Sequence, residues 1–360
     1  MEQYRILPAL ASLAAALCGC APHRLAYTPD EVRGEFARRL PGRELASLTV
    51  PFEISADDAE RARQLVRRTS NHAERAEILK NALFTEEGFG IRYAIGLTTG
   101  AAETLRERRG NCLSIASAFV GLARAVGLSA YYLDASDAGA STEDEDQVLV
   151  KSGHITAAVE LDTGLSALDF GGRLWAYAQY RVIDDLEAAA HFFNNRGYEM
   201  IRRAIRRGEP VDWEAAIESF TLATLVKPSF ARAWNNLGVA FARLHMREAA
   251  IDAYLKALAL DERFASPATN LGILYQNSGE ATAARRSFEE AARRDPRDGR
   301  ARYHLGVAAF RNGDMRVAVR ELSEAIRLDS KNSRARALLA QILRSLGKTV
   351  EAAQVESEKT

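Results

Sequence analysis

The chain has 360 residues, and its 48 Lys plus Arg residues balance 48 Asp plus Glu residues, so the formal net charge at pH 7 is zero. This balance argues against long-range attraction to nucleic acid or to an anionic membrane surface, and no nucleic-acid partner is expected. With 47% apolar residues, the chain can build two domains with separate cores. The sequence has no phosphate-binding glycine loop and no zinc-type Cys/His cluster, so neither cofactor nor metal is predicted.

The N-terminus predicts export from the cytoplasm. The apolar stretch at 6–17 is shorter than the roughly 20 residues that a membrane-spanning helix needs, and it is typical of a signal peptide. It leads into the sequence LCGC at 17–20, which resembles the lipobox of bacterial lipoproteins. In that family the last Cys, here Cys20, receives a lipid and becomes the new N-terminus.

This resemblance implies a signal peptide at 1–19 and a linker at 20–48 that starts from lipidated Cys20. Because Ala21 rather than Asp follows the cysteine, it also implies a lipid anchor in the outer membrane of a bacterial envelope, facing the periplasm. The alternative is an ordinary cleaved signal in which Cys20 is incidental.

Cys112 would then be the single free thiol, because Cys18 leaves with the signal and Cys20 carries lipid. No disulfide framework is possible. In an oxidising compartment a lone thiol is either buried and inert or kept for its reactivity.

The sequence around this thiol, GNCLSIASAFVGLARAVGL, predicts a helix that begins at Cys112. Asn111 is a good N-cap, Gly110 lets the chain turn into the cap, and Gly127 provides the C-terminal cap. A thiol in the first turn lies at the positive end of the helix dipole, which lowers its pKa. The alternative is a small buried side chain at a helix start.

The sequence SGHITAAVELDTGLSALDFGG at 152–172 predicts a β-hairpin around an Asp-Thr-Gly turn at 162–164. In one of the two possible registers, His154 and Asp169 are diagonal neighbours on one face. Either residue alone would more often be structural than catalytic. The acidic loop at 134–147, just before the hairpin, is interpreted as a solvated loop, with cation binding as the alternative.

A Cys at a helix start, followed by His and Asp on a hairpin, resembles the transglutaminase-like superfamily. Its papain-like core places the helix N-terminal Cys against a sheet that bears His and Asp. The resemblance extends over 52–170 and implies an α+β domain at 49–187 that works without a cofactor. It also implies roles for three residues: Cys112 as nucleophile, His154 as general base and acid, and Asp169 as the residue that orients the imidazole.

The C-terminal half contains an internal repeat of 34 residues, which separates Gly238, Gly272 and Gly306. This period and the unit AWNNLGVAFARLHMREAAIDAYLKALALD resemble the tetratricopeptide repeat, which implies an all-α solenoid of stacked helix pairs. Gly197 marks an irregular first repeat with a longer turn. The prediction is therefore about four repeats and a closing helix pair over 188–360.

Arrays of this kind bind extended or helical peptide segments on the face formed by the first helix of each pair. The candidate contact residues on those helices are Asn235, Asn236, Thr269, Asn270, Tyr303 and His304. The alternative is that they are ordinary solvated positions. Basic residues for a C-terminal carboxylate clamp are not repeated there, so that binding mode is not expected.

Two functions are consistent with the sequence. The first is an envelope lipoprotein whose transglutaminase-like domain hydrolyses or transfers amide bonds, with a protein or peptide partner recruited by the repeat array. The second is a non-catalytic scaffold lipoprotein in which both domains serve protein–protein interaction.

Overall fold

A computed structural model describes residues 24–44, 48–135, 142–145, 148–151, 155–168, 170 and 180–357. The predicted lipidation site, Cys20, lies outside these residues. The chain divides into two compact units, Met1–Glu143 with Val150–Ala233, and Asp144–Leu149 with Trp234–Thr360. No helix within the described residues is long and apolar enough to cross a membrane.

The first unit mixes helices with a small sheet, as predicted. Its helices are α1 Pro29–Arg39, α2 Ala56–Val66, α3 His72–Phe84, α4 Ala101–Glu107, α5 Cys112–Ala125, α6 Asp185–Arg207 and α7 Trp213–Val226. The strands in chain order are β1 Arg92–Tyr93, β2 Arg109–Gly110, β3 Ala130–Asp134, β4 Thr142–Glu145, β5 Val148–Lys151, β6 Ile155–Leu161, β7 Gly164–Leu168 and β8 Arg181–Ile183.

Four strands form an antiparallel sheet in the order β7-β6-β3-β8. The predicted hairpin is confirmed as β6 and β7, joined through residues 162–163, with Gly164 at a φ of +109°. Its register pairs Ala157 with Leu168. Helix α5 packs against β3 and β6, and its apolar residues, including Phe119, belong to the core of the first unit.

Both predicted ends of α5 are confirmed. The Asn111 side chain accepts a hydrogen bond from the Ser114 backbone N–H at 3.0 Å, which satisfies a donor at the helix start. At the other end Gly127 has a φ of +81°, as a left-handed C-terminal cap requires. Gly110 is needed for space, because a Cβ there would lie 2.6 Å from Ser114 Cβ.

From Ala231 to Ser357 the chain is all-helical, and its helices follow one another in pairs as the repeat predicts. They are α8 Ala231–Arg243, α9 Arg247–Leu260, α10 Ser266–Asn277, α11 Ala281–Arg294, α12 Gly299–Arg311, α13 Met315–Leu328, α14 Ser333–Ser345 and α15 Thr349–Ser357. Together with α6 and α7 these helices form five consecutive pairs, which is compatible with the predicted four repeats and closing pair.

The 34-residue glycine period marks where paired helices approach each other. A Cβ at Gly272 would lie 2.5 Å from Phe288 Cε1, and one at Gly238 would lie 2.7 Å from the Tyr254 ring. Gly197 approaches Phe220 in the same way. The pair α6 and α7 therefore has the same close glycine–ring contact as the pairs that follow, despite its longer turn.

The helices α6 and α7 nevertheless belong to the first unit, which ends at Ala233. Residues 188–190 of α6, together with Phe192 and Phe193, are part of the same apolar core as α5. The compact units therefore divide after α7, and not at 187/188 where the repeats were predicted to begin. Sequence periodicity marks the start of a repeat but does not show which core that repeat joins.

Replacing Gly272 by Ala should destabilise the repeat array by about 1–3 kcal/mol, because the added methyl group overlaps the Phe288 ring. Gly34, in the exposed part of α1, has no atom within 4 Å of an added Cβ, so Gly34→Ala is the matched control. It should be neutral or stabilise by up to about 1 kcal/mol. Urea unfolding followed by circular dichroism measures both, and equal effects would contradict the proposed packing role.

Candidate active site

Cys112 opens α5 and is partly exposed. Backbone amides at the helix start, those of Leu113 and Cys112 itself, favour the thiolate, as does the backbone amide of Ile155 at the start of β6. The helix terminus therefore acts on the sulfur in the expected direction. The strand that begins at Ile155 contributes a further favourable group.

The net direction of the thiol pKa differs from the prediction. Burial of the sulfur is the largest influence and raises the pKa of Cys112, and the Glu199 carboxylate raises it further. Among the described groups, loss of solvent around a thiolate outweighs the favourable amides, so the helix start alone does not produce the expected lowering of the pKa. The three amides oppose this rise without reversing it.

The helix cap below Cys112 is held by a carboxylate from a distant helix. Glu199 of α6, 9% exposed, accepts a hydrogen bond from the Asn111 side-chain amide at 2.9 Å. It also accepts hydrogen bonds from the Thr98 backbone N–H at 2.6 Å and the Thr98 hydroxyl at 2.7 Å. Burial raises the pKa of Glu199, and these three donors oppose the rise. Sequence analysis did not identify this residue.

A second layer of hydrogen bonds fixes the chain that precedes the cap. The buried Ser114 hydroxyl accepts from the Thr99 backbone N–H at 2.8 Å and donates to the Leu97 carbonyl at 3.2 Å. The same carbonyl accepts from the Asn111 backbone N–H at 3.0 Å. The start of α5 is therefore held by backbone and side chain together, which limits how far Cys112 can move.

The other end of α5 is also tied to α6. Arg124 makes a two-pronged ion pair with Asp185, at 2.7 and 3.0 Å. Asp185 is 1% exposed and also accepts from the Tyr27 backbone N–H at 2.8 Å. Burial raises the pKa of this carboxyl group, and Arg124 opposes the rise.

The predicted partners of Cys112, His154 and Asp169, lie outside the described residues. Their immediate neighbours are described. Ile155, directly after His154, is buried at the start of β6, and Leu168, directly before Asp169, ends β7. Thr156 Oγ1 donates to the Leu168 carbonyl at 2.5 Å, so the two strands are joined at this end of the hairpin.

A buried charged cluster at the end of β3 contains possible metal ligands. Asp134, Glu187 and His191 bring three ligand atoms within 4.8 Å of one another. However, Arg181 already forms ion pairs with both carboxylates, and Lys227 lies 3.0 Å from Glu187. Lys227 also pairs with Asp184 at 2.9 Å, so the candidate ligand oxygens of this cluster are already held in ion pairs with two cations. The residues fit an ion-pair cluster better than a metal centre.

Most of the predicted peptide-contact residues are buried. Asn235, Asn236 and Thr269 are 0% exposed and Asn270 is 5% exposed. The Asn270 amide donates to Asn235 Oδ1 at 3.0 Å, which links α10 to α8. These four side chains therefore cannot contact a ligand without rearrangement, and the expectation that they line an accessible surface is wrong.

The last two candidates, Tyr303 and His304, are partly buried. The His304 ring stacks on Phe288, with ring centroids 4.9 Å apart and an interplanar angle of 10°. Tyr303 packs against the apolar core of α13 and α14. Both side chains therefore contribute to packing between repeats, whether or not they also meet a ligand.

A cleft of about 530 Å³ lies among α11, α12 and α13. Its lining includes Arg302 and Arg320, and both pair with buried Glu321. The two arginines share this one carboxylate, and the whole lining has four Arg residues against three acidic residues, Glu289, Asp314 and Glu321.

The buried histidine of the charged cluster should make folding sensitive to acid. His191 is 1% exposed, and burial lowers its pKa to about 4. Between pH 6.5 and about 4 the unfolded chain takes up a proton that the folded chain excludes, so stability falls as the pH falls through this window. The loss is roughly 3 kcal/mol at most.

His191→Phe retains a ring against Phe230, whose centroid lies 4.3 Å away, but cannot titrate. The free energy of unfolding of this variant should therefore depend less on pH between 6.5 and 4 than that of the unmodified protein. Urea unfolding at several pH values measures both slopes. Identical slopes would show that His191 does not cause the acid sensitivity.

Comparison with known families agrees with this architecture. The transglutaminase-like superfamily profile matches residues 59–170, a range that contains Cys112 and both of its predicted partners. Tetratricopeptide repeat profiles match residues 231–264, 269–316 and 309–358. No curated protein matches the chain.

Several solved structures are similar to part of the chain. MamA from Desulfovibrio magneticus RS-1 is 20% identical, with 47% of this chain and 92% of that chain covered and a TM-score of 0.38. PilF from Pseudomonas aeruginosa is 23% identical, with coverages of 46% and 74% and a TM-score of 0.41. YrrB, described as a repeat protein with an unusual peptide-binding site, is 17% identical, with coverages of 46% and 82% and a TM-score of 0.35. The family matches identify this chain as a transglutaminase-like domain at 59–170 followed by tetratricopeptide repeats at 231–358.

Proposed function

We propose that the first unit is a cysteine-dependent amide hydrolase or acyl transferase, with Cys112 as nucleophile, His154 as general base and acid, and Asp169 as the residue that orients the imidazole. The observation that carries this proposal is the approach of β6 to the thiol. The backbone amide of Ile155 acts on the Cys112 sulfur, and His154 is the preceding residue in the chain.

The strand register also supports the proposal. Described pairs of β6 and β7 include Ala157 with Leu168. If the pairing continued by one residue, Asp169 would be opposite Thr156, which follows His154 by two positions. Residues two apart on a strand share a face, so His154 and Asp169 would be diagonal neighbours within side-chain reach.

The raised pKa of the thiol defines what the histidine must do. Burial and Glu199 favour the neutral thiol, so a thiolate needs a cation close by, and a protonated His154 would supply it. The thiolate then attacks an amide carbonyl carbon, and first-turn backbone amides of α5 can stabilise the oxyanion.

The imidazolium next gives its proton to the leaving amine as the C–N bond breaks, which leaves a thioester on Cys112. Water attacks the thioester in hydrolysis, and His154 takes the proton of the water as the acid product forms. In transamidation a second amine attacks instead of water.

The repeats make protein or peptide binding the natural role of the second unit. We therefore propose that the array recruits the substrate or partner of the first unit. The lipobox-like sequence supports a lipid anchor on Cys20 in a bacterial envelope, with the chain on the periplasmic side of the outer membrane.

The raised pKa of Cys112 is also what a non-catalytic domain would show. In that second candidate function the chain is a scaffold lipoprotein, and both units serve protein–protein interaction. Cys112→Ala then leaves partner capture by the full chain intact and has no other consequence.

Alkylation of Cys112 by iodoacetamide as a function of pH tests the catalytic proposal. The modified peptide is quantified by mass spectrometry, so that other cysteines do not contribute. The midpoint of this profile is the pH at which the alkylation rate is half of its maximum. It should lie below about 8.5, the ordinary pKa of a thiol. His154→Ala should raise this midpoint by about one unit or more, because it removes the cation that stabilises the thiolate.

Asp169→Asn is the companion variant, since it retains the size of the side chain but weakens the orientation of the imidazole. It should raise the midpoint less than His154→Ala does. A midpoint at or above 8.5 that neither substitution changes would refute an activated nucleophile and leave the scaffold function.

A further inference from the structure

We propose that Glu199 is a positioning residue of the Cys112 site, although it lies on the first helix of the irregular repeat and beyond the matched transglutaminase-like range. Its carboxylate fixes the orientation of the Asn111 cap and places a negative charge near the thiol. This inference rests on the proposed role of Cys112 as the nucleophile.

The Asn111 side chain could cap the helix in only one of its two amide orientations. A side-chain amide has an oxygen that accepts and a nitrogen that donates, and rotation by 180° exchanges them. Asn111 must present its oxygen to the Ser114 N–H to cap α5. The nitrogen then lies on the other side, where it donates to the Thr98 hydroxyl at 2.7 Å and to Glu199 at 2.9 Å. Because a carboxylate only accepts hydrogen bonds, Glu199 opposes the flipped orientation, which would turn the Asn111 oxygen toward it.

The surroundings of Glu199 require it to be an acceptor. Both of its oxygens meet donors, with the Thr98 backbone N–H at 2.6 Å on one and the Thr98 hydroxyl at 2.7 Å on the other. The backbone N–H cannot become an acceptor. Three donors that converge on one buried carboxylate favour its ionised form over the neutral one.

The position of Glu199 couples this cap to the repeat side of the chain. Gly197, two residues earlier on α6, is the position where Phe220 of α7 packs, since a Cβ there would lie 2.8 Å from that ring. A shift of α6 against α7 would therefore move the carboxylate that holds the nucleophile's cap. The first repeat pair is, on this reasoning, part of the support of the active site.

The experiment measures the pH profile of Cys112 alkylation in the full chain. Glu199→Gln preserves size but removes the charge, so its midpoint should move to lower pH by on the order of half a unit. Glu199→Asp retains the charge and should have a midpoint closer to that of the unmodified protein. Glu321→Gln, which alters a 5% exposed carboxylate of the second unit, is the matched control and should not move the midpoint.

A purely structural role would lower the melting temperature of Glu199→Gln and leave its midpoint unchanged, and this result would overturn the proposal.

If Glu199→Gln does not fold, a second pair of variants decides. The Asn111→Asp side chain can still cap the helix, but its carboxylate faces that of Glu199. This variant should therefore unfold at a lower temperature, and its thiol should react more slowly. Adding Glu199→Gln to this variant should restore the unfolding temperature and the alkylation rate, because the new side-chain amide can donate to the carboxylate at position 111. Absence of rescue would overturn the proposal.

These outcomes are separate from those that test catalysis. If the thiol of the unmodified protein titrates at or above 8.5 and His154→Ala has no effect, the catalytic function fails. The shift caused by Glu199→Gln can still be read from the same profiles. If His154→Ala raises the midpoint but Glu199→Gln does not lower it, catalysis stands and the role of Glu199 fails.

Discussion

Two ties between α5 and α6 set the geometry on which the candidate site depends. Asn111 meets Glu199 at the start of α5, and Arg124 meets Asp185 near its end. The ties are 13 residues apart on one helix and 14 on the other, about 20 Å in each case. The two helices are therefore antiparallel and aligned in length. With both ends fixed, α5 can neither slide nor rotate far without breaking a buried polar contact, which is costly.

These ties affect the solvation of the Cys112 thiol as well as its position. The ties that hold α5 also place Cys112 where burial and the Glu199 charge favour the neutral form. The backbone amides at the helix start and at Ile155 favour the thiolate, but burial of the sulfur has the larger effect on the pKa. A reactive sulfur in this setting must obtain its charge from a titratable partner.

The sequence predicted the features that arise from local chemistry. The Asn111 cap, the Gly127 terminus, the β6–β7 hairpin and the 34-residue repeat each depend on residues a few positions apart, or on a period that can be counted. The structure contains all of them. The order of Cys, His and Asp was likewise enough to identify the family of the first unit.

The sequence could not predict contacts made between distant segments. Glu199 lies 88 residues from Asn111 and 101 from Thr98, and no local pattern distinguishes it from the other glutamates of a repeat helix. The burial that raises the pKa of Cys112 is likewise a tertiary property. The same holds for Asn235 and Asn270, whose burial depends on neighbouring segments.

The buried asparagines of the second unit also constrain what its partner can be. The Asn270 amide donates to Asn235, and the Asn235 amide donates to Asn236 at 3.2 Å. A ligand that displaced these contacts would leave buried donors and acceptors unpaired unless it replaced each hydrogen bond. The apolar face of a helix offers no such groups. An extended peptide backbone has alternating N–H and C=O groups, so it could replace such hydrogen bonds where the apolar face of a helix could not.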